Sequence, residues 1–441
     1  MTSPVTALRR YRSAVPLDPA EARDRSVRRR INAAWGLLFF NTLTFIAGIS
    51  ILPLPSKVGK GIAQGALPLA ILVLLTVNPK FKIRPNVFLC LVSLLVVDAV
   101  ITSIQPHLGT MFRTFRFAEF VAALWLLTPW WGRRDMLLLR CHLQWLYVAL
   151  GSVLVGLLIA PGHAYVTSGV PVGSVRDGRL SGVIWPMLPT QIAQYAAVAA
   201  GLTVVLWLAR LVSGRAALVG VTACAIVLFL AHTRTALVAL VAGVLVAGLS
   251  LFTINARVRK FFAATAAAVS IAVITVAGVV TAYLTRGENA HGLATLTGRT
   301  DFWALVLSTP RTRFQEIFGF GLSNAGINGL PIDSNWLSSY MQEGLYGVVV
   351  CAAILVFLFV AAFFQPPSVR RALALFIVTY CTIASFTEDA FTDVSTYLLD
   401  LTVAASLLVV TTWAQRGSVA ARDGPATGWD EDLAAGSPGK G

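Results

Sequence analysis

The sequence predicts an all-α, polytopic integral membrane protein of about twelve transmembrane helices, with a large extracytoplasmic loop between the ninth and tenth. Composition is the first reason. The 441 residues are 56% apolar and 12% charged, against roughly 25% charged in soluble domains. Mean hydropathy is +0.75, so lipid rather than water is the natural solvent. Run length is the second reason. Spans need about 20 mostly apolar residues, and only helices or closed barrels satisfy every backbone amide in lipid, so long unbroken runs mean helices.

Apolar runs bounded by charge, Pro and Gly place the spans near 31–53, 62–78, 86–104, 115–131, 137–160, 183–209, 216–232, 234–253, 261–284, 334–364, 371–386 and 395–414. Residues 1–30 form a basic cytoplasmic tail ahead of a membrane domain at 31–414. The first run is too long for a signal peptide and lacks an A-x-A site, so it is retained. From 415 the chain is rich in Ala, Gly, Asp and Pro and reads as a disordered cytoplasmic tail. Cys90, Cys141, Cys224, Cys351 and Cys381 lie in apolar runs and read as small buried hydrophobes. His107, His142, His163, His232 and His291 show no HxxxH or HExxH spacing, so a zinc site has no sequence support.

Charge sets the orientation. With both termini cytoplasmic, inner segments hold 24 of the 35 Lys and Arg residues and eight of the 20 acids. That obeys the positive-inside rule, and it assigns the net charge of +15 to topology and anionic lipid rather than to nucleic acid. Eleven basic residues remain on the extracytoplasmic side: Lys57, Lys60, Arg113, Arg116, Arg176, Arg179, Arg234, Arg286, Arg299, Arg311 and Arg313. Nine are arginines, whose planar fork suits phosphate.

Two extracytoplasmic loops are long, 161–182 and 285–333, and long loops are functional candidates. In the first, Arg176 and Arg179 precede Ser181-Gly182 and a span interrupted by Pro186 and Pro189, which predicts a helix broken near its outer end. A solvated loop with an ordinary kink is the alternative. His232-Thr233-Arg234-Thr235 is squeezed between two apolar runs, and an arginine so near the membrane core either meets an anion or snorkels from a turn. Arg116 and Glu119 lie three apart on one helical face, where pairing competes with substrate contact. Asp98 and Asp400 add further charge inside spans. Within 285–333, Gly298 to Pro310 predicts a short interfacial helix, and Gly319-Phe320-Gly321 a tight turn.

The order Gly298-Arg299-Thr300-Asp301-Phe302-Trp303, Gly319-Phe320-Gly321, Asp333-Ser334-Asn335 and Gly344-Leu345-Tyr346-Gly347 resembles the O-antigen ligase and polysaccharide polymerase family. That family shares a GR-x-x-x-W element, a G-x-G turn and an H-[NSQ]-x9-G-x2-G element. Arg179-Leu180-Ser181-Gly182 is similar to its R-L-x-G element, and 232–240 to its SR-containing one. The departure is Asp333 at the histidine position. The resemblance implies a glycosyltransferase-C type membrane fold in the bacterial plasma membrane. It also implies metal- and cofactor-independent, inverting transfer of a glycan from a polyprenyl pyrophosphate carrier to the hydroxyl of a glycan or glycolipid acceptor on the extracytoplasmic face. Arg179, Arg234 and Arg299 become donor pyrophosphate contacts, with Arg176, Arg116 and Asn335 as further substrate-binding residues. Asp333 becomes the base or acceptor-orienting group, or else a helix cap. A transporter or flippase of lipid-linked saccharides, and a scaffold, are the rival classes. The loop 79–85 lacks the pattern of major-facilitator carriers, and the halves show no internal repeat.

Overall fold

The computed structural model describes residues 19–43, 45, 49–103, 108–167, 170–171, 178–252, 255–265, 299–322, 332–388 and 391–409. The C-terminal tail, the greater part of the ninth predicted span and residues 285–298 lie outside them. The described chain is helical: α1 (Pro19–Asn41), α2 (Ser56–Val77), α3 (Val87–Ser103), α4 (Leu108–Leu127), α5 (Leu137–Ile159), α6 (Pro189–Leu208), α7 (Gly214–Ala231), α8 (Arg234–Phe252), α9 (Arg299–Ser308), α10 (Arg313–Phe318), α11 (Asn335–Phe363), α12 (Val369–Ala384) and α13 (Thr396–Leu408). One small antiparallel sheet, ordered β2-β1-β3, forms in the loop after α5 from β1 (Tyr165–Thr167), β2 (Val170–Pro171) and β3 (Arg179–Leu180).

Six helices are long and apolar enough to cross a membrane among the described residues: α2, α5, α6, α7, α8 and α11. The protein is therefore a multi-pass helical membrane protein, although the described helices that qualify are six and not twelve. The reasons are local. α4 carries Arg113, Arg116 and Glu119, while α3 and α13 are apolar but short. α12 has only 16 residues.

Several boundaries differ from the sequence reading. α1 begins at Pro19, inside the predicted tail, because i,i+4 pairs such as Asp24–Arg28 extend the helix through its basic stretch. It ends at Asn41 rather than near 53. The span predicted from 183 starts only at Pro189, the favoured first helical position for proline. Before it, 181–188 makes a turn in which Gly182 donates to the Met187 carbonyl, and a Cβ at Gly182 would lie 2.2 Å from the Trp185 oxygen. This is a non-helical turn ahead of α6 rather than a kinked helix. Of the cysteines, Cys90 is exposed and the other four are buried.

Hydrogen bonds sort the helix ends into two groups. At what we term the basic end, Arg28 binds Asp24 and Asp135 at 2.6 Å each, Arg133 bridges the same two acids, and Arg370 donates to the carbonyls of Gly132 and Arg133. Gly132 donates to Ser406 and Gln365 to Leu408, which brings α11, α12 and α13 to this end. The Arg28 guanidinium beside Asp24 holds that carboxyl below its usual range, with Arg133 assisting. At the far end, Asn41 meets α2 and α4, and β3 meets the turn between α7 and α8.

Between the ends, the core holds a closed polar cluster. Trp35 Nε1 donates to His142 Nδ1 at 3.4 Å, leaving the ring proton on Nε2, which donates to Asp400 Oδ1 at 2.6 Å. Gln194 donates to the other Asp400 oxygen at 2.9 Å. Four helices, α1, α5, α6 and α13, are fastened at this point.

Candidate functional site

The far end is built around residues 385–388 and 391–393, between α12 and α13. Asn335, the first residue of α11, is fully buried: its backbone N–H donates to the Ser385 carbonyl and its side-chain oxygen accepts from the Phe391 N–H at 2.7 Å. Thr387 donates to Thr235 in the first turn of α8 at 2.8 Å. Arg113 on α4 pairs with Asp393 at 2.5 Å. The starts of α8 and α11 are thus tied to one short segment.

Arg179 joins the same place from β3. Its Nε donates to the Ala231 carbonyl at 3.0 Å and its Nη2 to Thr233 Oγ1 at 2.7 Å. The cation thereby meets the last carbonyls of α7, where the helix dipole is negative. His232 caps α7 with φ of 51°, a left-handed conformation that is unusual for a side chain with Cβ. That sharp reversal lets α8 start immediately at Arg234, which is half-buried. Arg179 and Arg234 therefore flank one two-residue turn. The positive dipole ends of α8 and α11 lie against the same linking segment, and helix N-termini are places where phosphate binds.

The other candidates go elsewhere. Arg116 is committed to Asn41, donating to its backbone carbonyl at 2.8 Å and its side-chain oxygen at 3.3 Å, and no ion pair joins it to Glu119. Arg299 is the first residue of α9 and its side chain lies outside the described residues, as does Arg176 entirely. Asp333 is exposed, one residue before the N-cap Ser334 of α11 and two before Asn335. Ser334 rather than Asp333 thus holds the capping position. Arg311 is a clip: it donates to the Val306 and Tyr340 carbonyls and stacks 4.0 Å over the Tyr340 ring, holding α9 on α11.

The glycine motifs meet directly. At Gly344, φ 65° and ψ −159° break α11, and a Cβ there would lie 2.4 Å from the Ile317 carbonyl. Phe320 and Gly321 donate to the carbonyls of Met341 and Gln342 at 2.9 and 2.8 Å, while Gly319, at φ 76°, presses on the same peptides. The Gly319-Phe320-Gly321 turn is therefore a bracket for the α11 break. Val306, Ile332 and Met341, with Phe320 and Leu337 against them, form the apolar seat under α9.

Sequence reasoning missed the linking segment. Its signal was present, since Ser385, Thr387, Glu388, Asp389, Thr392 and Asp393 fall between two apolar runs. No protein-family model matches the chain, and no curated protein matches it.

Proposed function

We propose that this protein is an extracytoplasmic glycosyltransferase like those of the O-antigen ligase and polymerase family, moving a glycan from a polyprenyl pyrophosphate carrier to an acceptor hydroxyl. One observation carries the reading: at the end opposite the basic one, Arg179 is bound to the turn that leads into Arg234, and the positive ends of α8 and α11 are both tied to the segment that holds Ser385, Thr387 and Phe391. A glycosyl pyrophosphate already has a good leaving group. The protein must neutralise developing phosphate charge, orient the acceptor and accept its proton. Arg179 and Arg234 perform the first task, joined by Arg299. Asp333, exposed beside the start of α11, takes the proton.

The same reading has the chain crossing the plasma membrane about twelve times with both termini cytoplasmic. The charge count supports this, as does the alternation of successive helix ends between the two hydrogen-bonded groups. An in vitro transfer assay with a polyprenyl pyrophosphate-linked glycan tests the site. Arg234→Lys and Arg179→Lys should each slow transfer about tenfold or more, because a point charge does not reproduce the fork. Asp333→Asn should slow it about 10²- to 10⁴-fold, and Asp333→His should recover part of the rate. Wild-type turnover in all the lysine variants would remove the donor site, and full activity in Asp333→Asn would remove the base.

A further inference from the structure

A second ligand site is built at the basic end, between the C-terminal halves of α8 and α11 and the first turns of α12. A groove there is lined by Val246, Leu249, Phe359, Phe363 and Leu375, with Ser250 and Arg371 as its polar residues. Arg371 uses only one arm of its guanidinium: Nη1 donates to the Gln365 carbonyl at 3.0 Å. Its Nε is buried without a hydrogen-bond partner among the described residues, and Nη2, which is not fully buried, makes no hydrogen bond among them. The Ser250 hydroxyl, lining the same groove, is likewise buried and without a partner among the described residues. Buried donors of this kind are seldom left unmet, and those of a guanidinium least of all.

The Nε–H/Nη2–H edge is the parallel pair that grips two oxygens of one phosphate. Beyond it runs an apolar groove between membrane-spanning helices, and around it stands the basic end, with Arg370 adjacent. We infer that this groove holds one anionic glycerophospholipid, its phosphate on Arg371, its glycerol region at Ser250 and an acyl chain along Leu249, Phe359 and Phe363. Charge decides the class of headgroup. A zwitterionic lipid would bring its own ammonium to an already basic end, whereas an anionic one is drawn to each nearby Lys or Arg. The site does not depend on the glycan-transfer reading.

The test uses the purified full-length protein in phosphatidylcholine nanodiscs titrated with phosphatidylglycerol, with retained lipid counted by native mass spectrometry. Wild type should keep one phosphatidylglycerol per chain, in preference to phosphatidylcholine. Arg371→Gln should bind it about tenfold more weakly, since a bidentate charged contact is lost. Leu249→Trp, which fills the groove and leaves Arg371 in place, should do the same. Undiminished binding in both variants would overturn the site, and so would no retained lipid in wild type, as when the groove is filled by the chain's own residues. Equal retention of phosphatidylcholine, or displacement of phosphatidylglycerol by polyprenyl phosphate, would overturn the assignment of its occupant.

Discussion

Asp400 and Asp98 are both fully buried acids on apolar helices, yet their surroundings are opposite. Asp400 receives His142 on one oxygen and Gln194 on the other, and His142 is in turn held by Trp35. Asp98, on α3, has no hydrogen bond to either oxygen among the described residues. It lies one turn below Thr102, which contacts Gly321, and within electrostatic reach of Tyr346 beside the α11 break. The contrast separates two uses of buried polarity. A fully satisfied cluster fastens helices together, whereas an unsatisfied acid contributes no such fastening.

The largest effect should come from breaking the fastened cluster. Asp400→Ala leaves the His142 Nε2–H and the Gln194 amide without their acceptor in the core and should cost about 2–5 kcal/mol of stability, roughly 1–3 for each buried donor left unmet. Asp98→Ala should stay within about 1 kcal/mol of wild type, because no hydrogen bond is lost. Thermal unfolding in detergent measures both, and equal losses would erase the distinction.

A smaller effect is expected at the junction near Asp98. Gly344→Ala forces a Cβ into the Ile317 carbonyl at a left-handed φ and should cost about 1–3 kcal/mol, read as faster proteolysis at the exposed Arg313. Gly151→Ala on α5, where nothing lies within 4 Å, should be neutral or stabilising by about 0.5–1 kcal/mol. If Gly151→Ala and Gly344→Ala behave alike, the bracket does not hold α11.

The smallest effect belongs to the surface ion pairs of the basic end. Asp24 is lowered in the folded state, so its contribution is present above the ordinary carboxylate pKa and fades as pH falls through the folded value. Being largely exposed, it should be worth well under about 1 kcal/mol. Asp24→Asn should therefore flatten the acid limb of the stability profile slightly, and a profile identical to wild type would show that the Arg28 and Arg133 contacts carry no weight.

The bundle was readable from hydropathy because each long run must satisfy its own backbone in lipid. The short helix was readable too, as α9 follows the stretch after Gly298 that ends at Pro310. What the sequence did not reveal is partnership. Gly319 and Gly321 announce a turn, but the break at Gly344, inside a predicted span, and its contact with that turn depend on how α10 folds back on α11. Nor does the sequence show that Asn335 accepts from the Phe391 N–H or that Arg116 donates to the Asn41 carbonyl. His142 carried no motif at all, and its role follows only from Asp400 standing 2.6 Å away on a helix 258 positions distant.

The central claim, chemistry rather than passage at the far end, is tested most directly by reconstituting the purified protein in liposomes with a polyprenyl pyrophosphate-linked glycan and a glycan acceptor. The account predicts a new glycosidic bond, with one carrier pyrophosphate released per bond formed. Movement of the intact lipid-linked glycan from one leaflet to the other, with no glycosidic bond made, would contradict it.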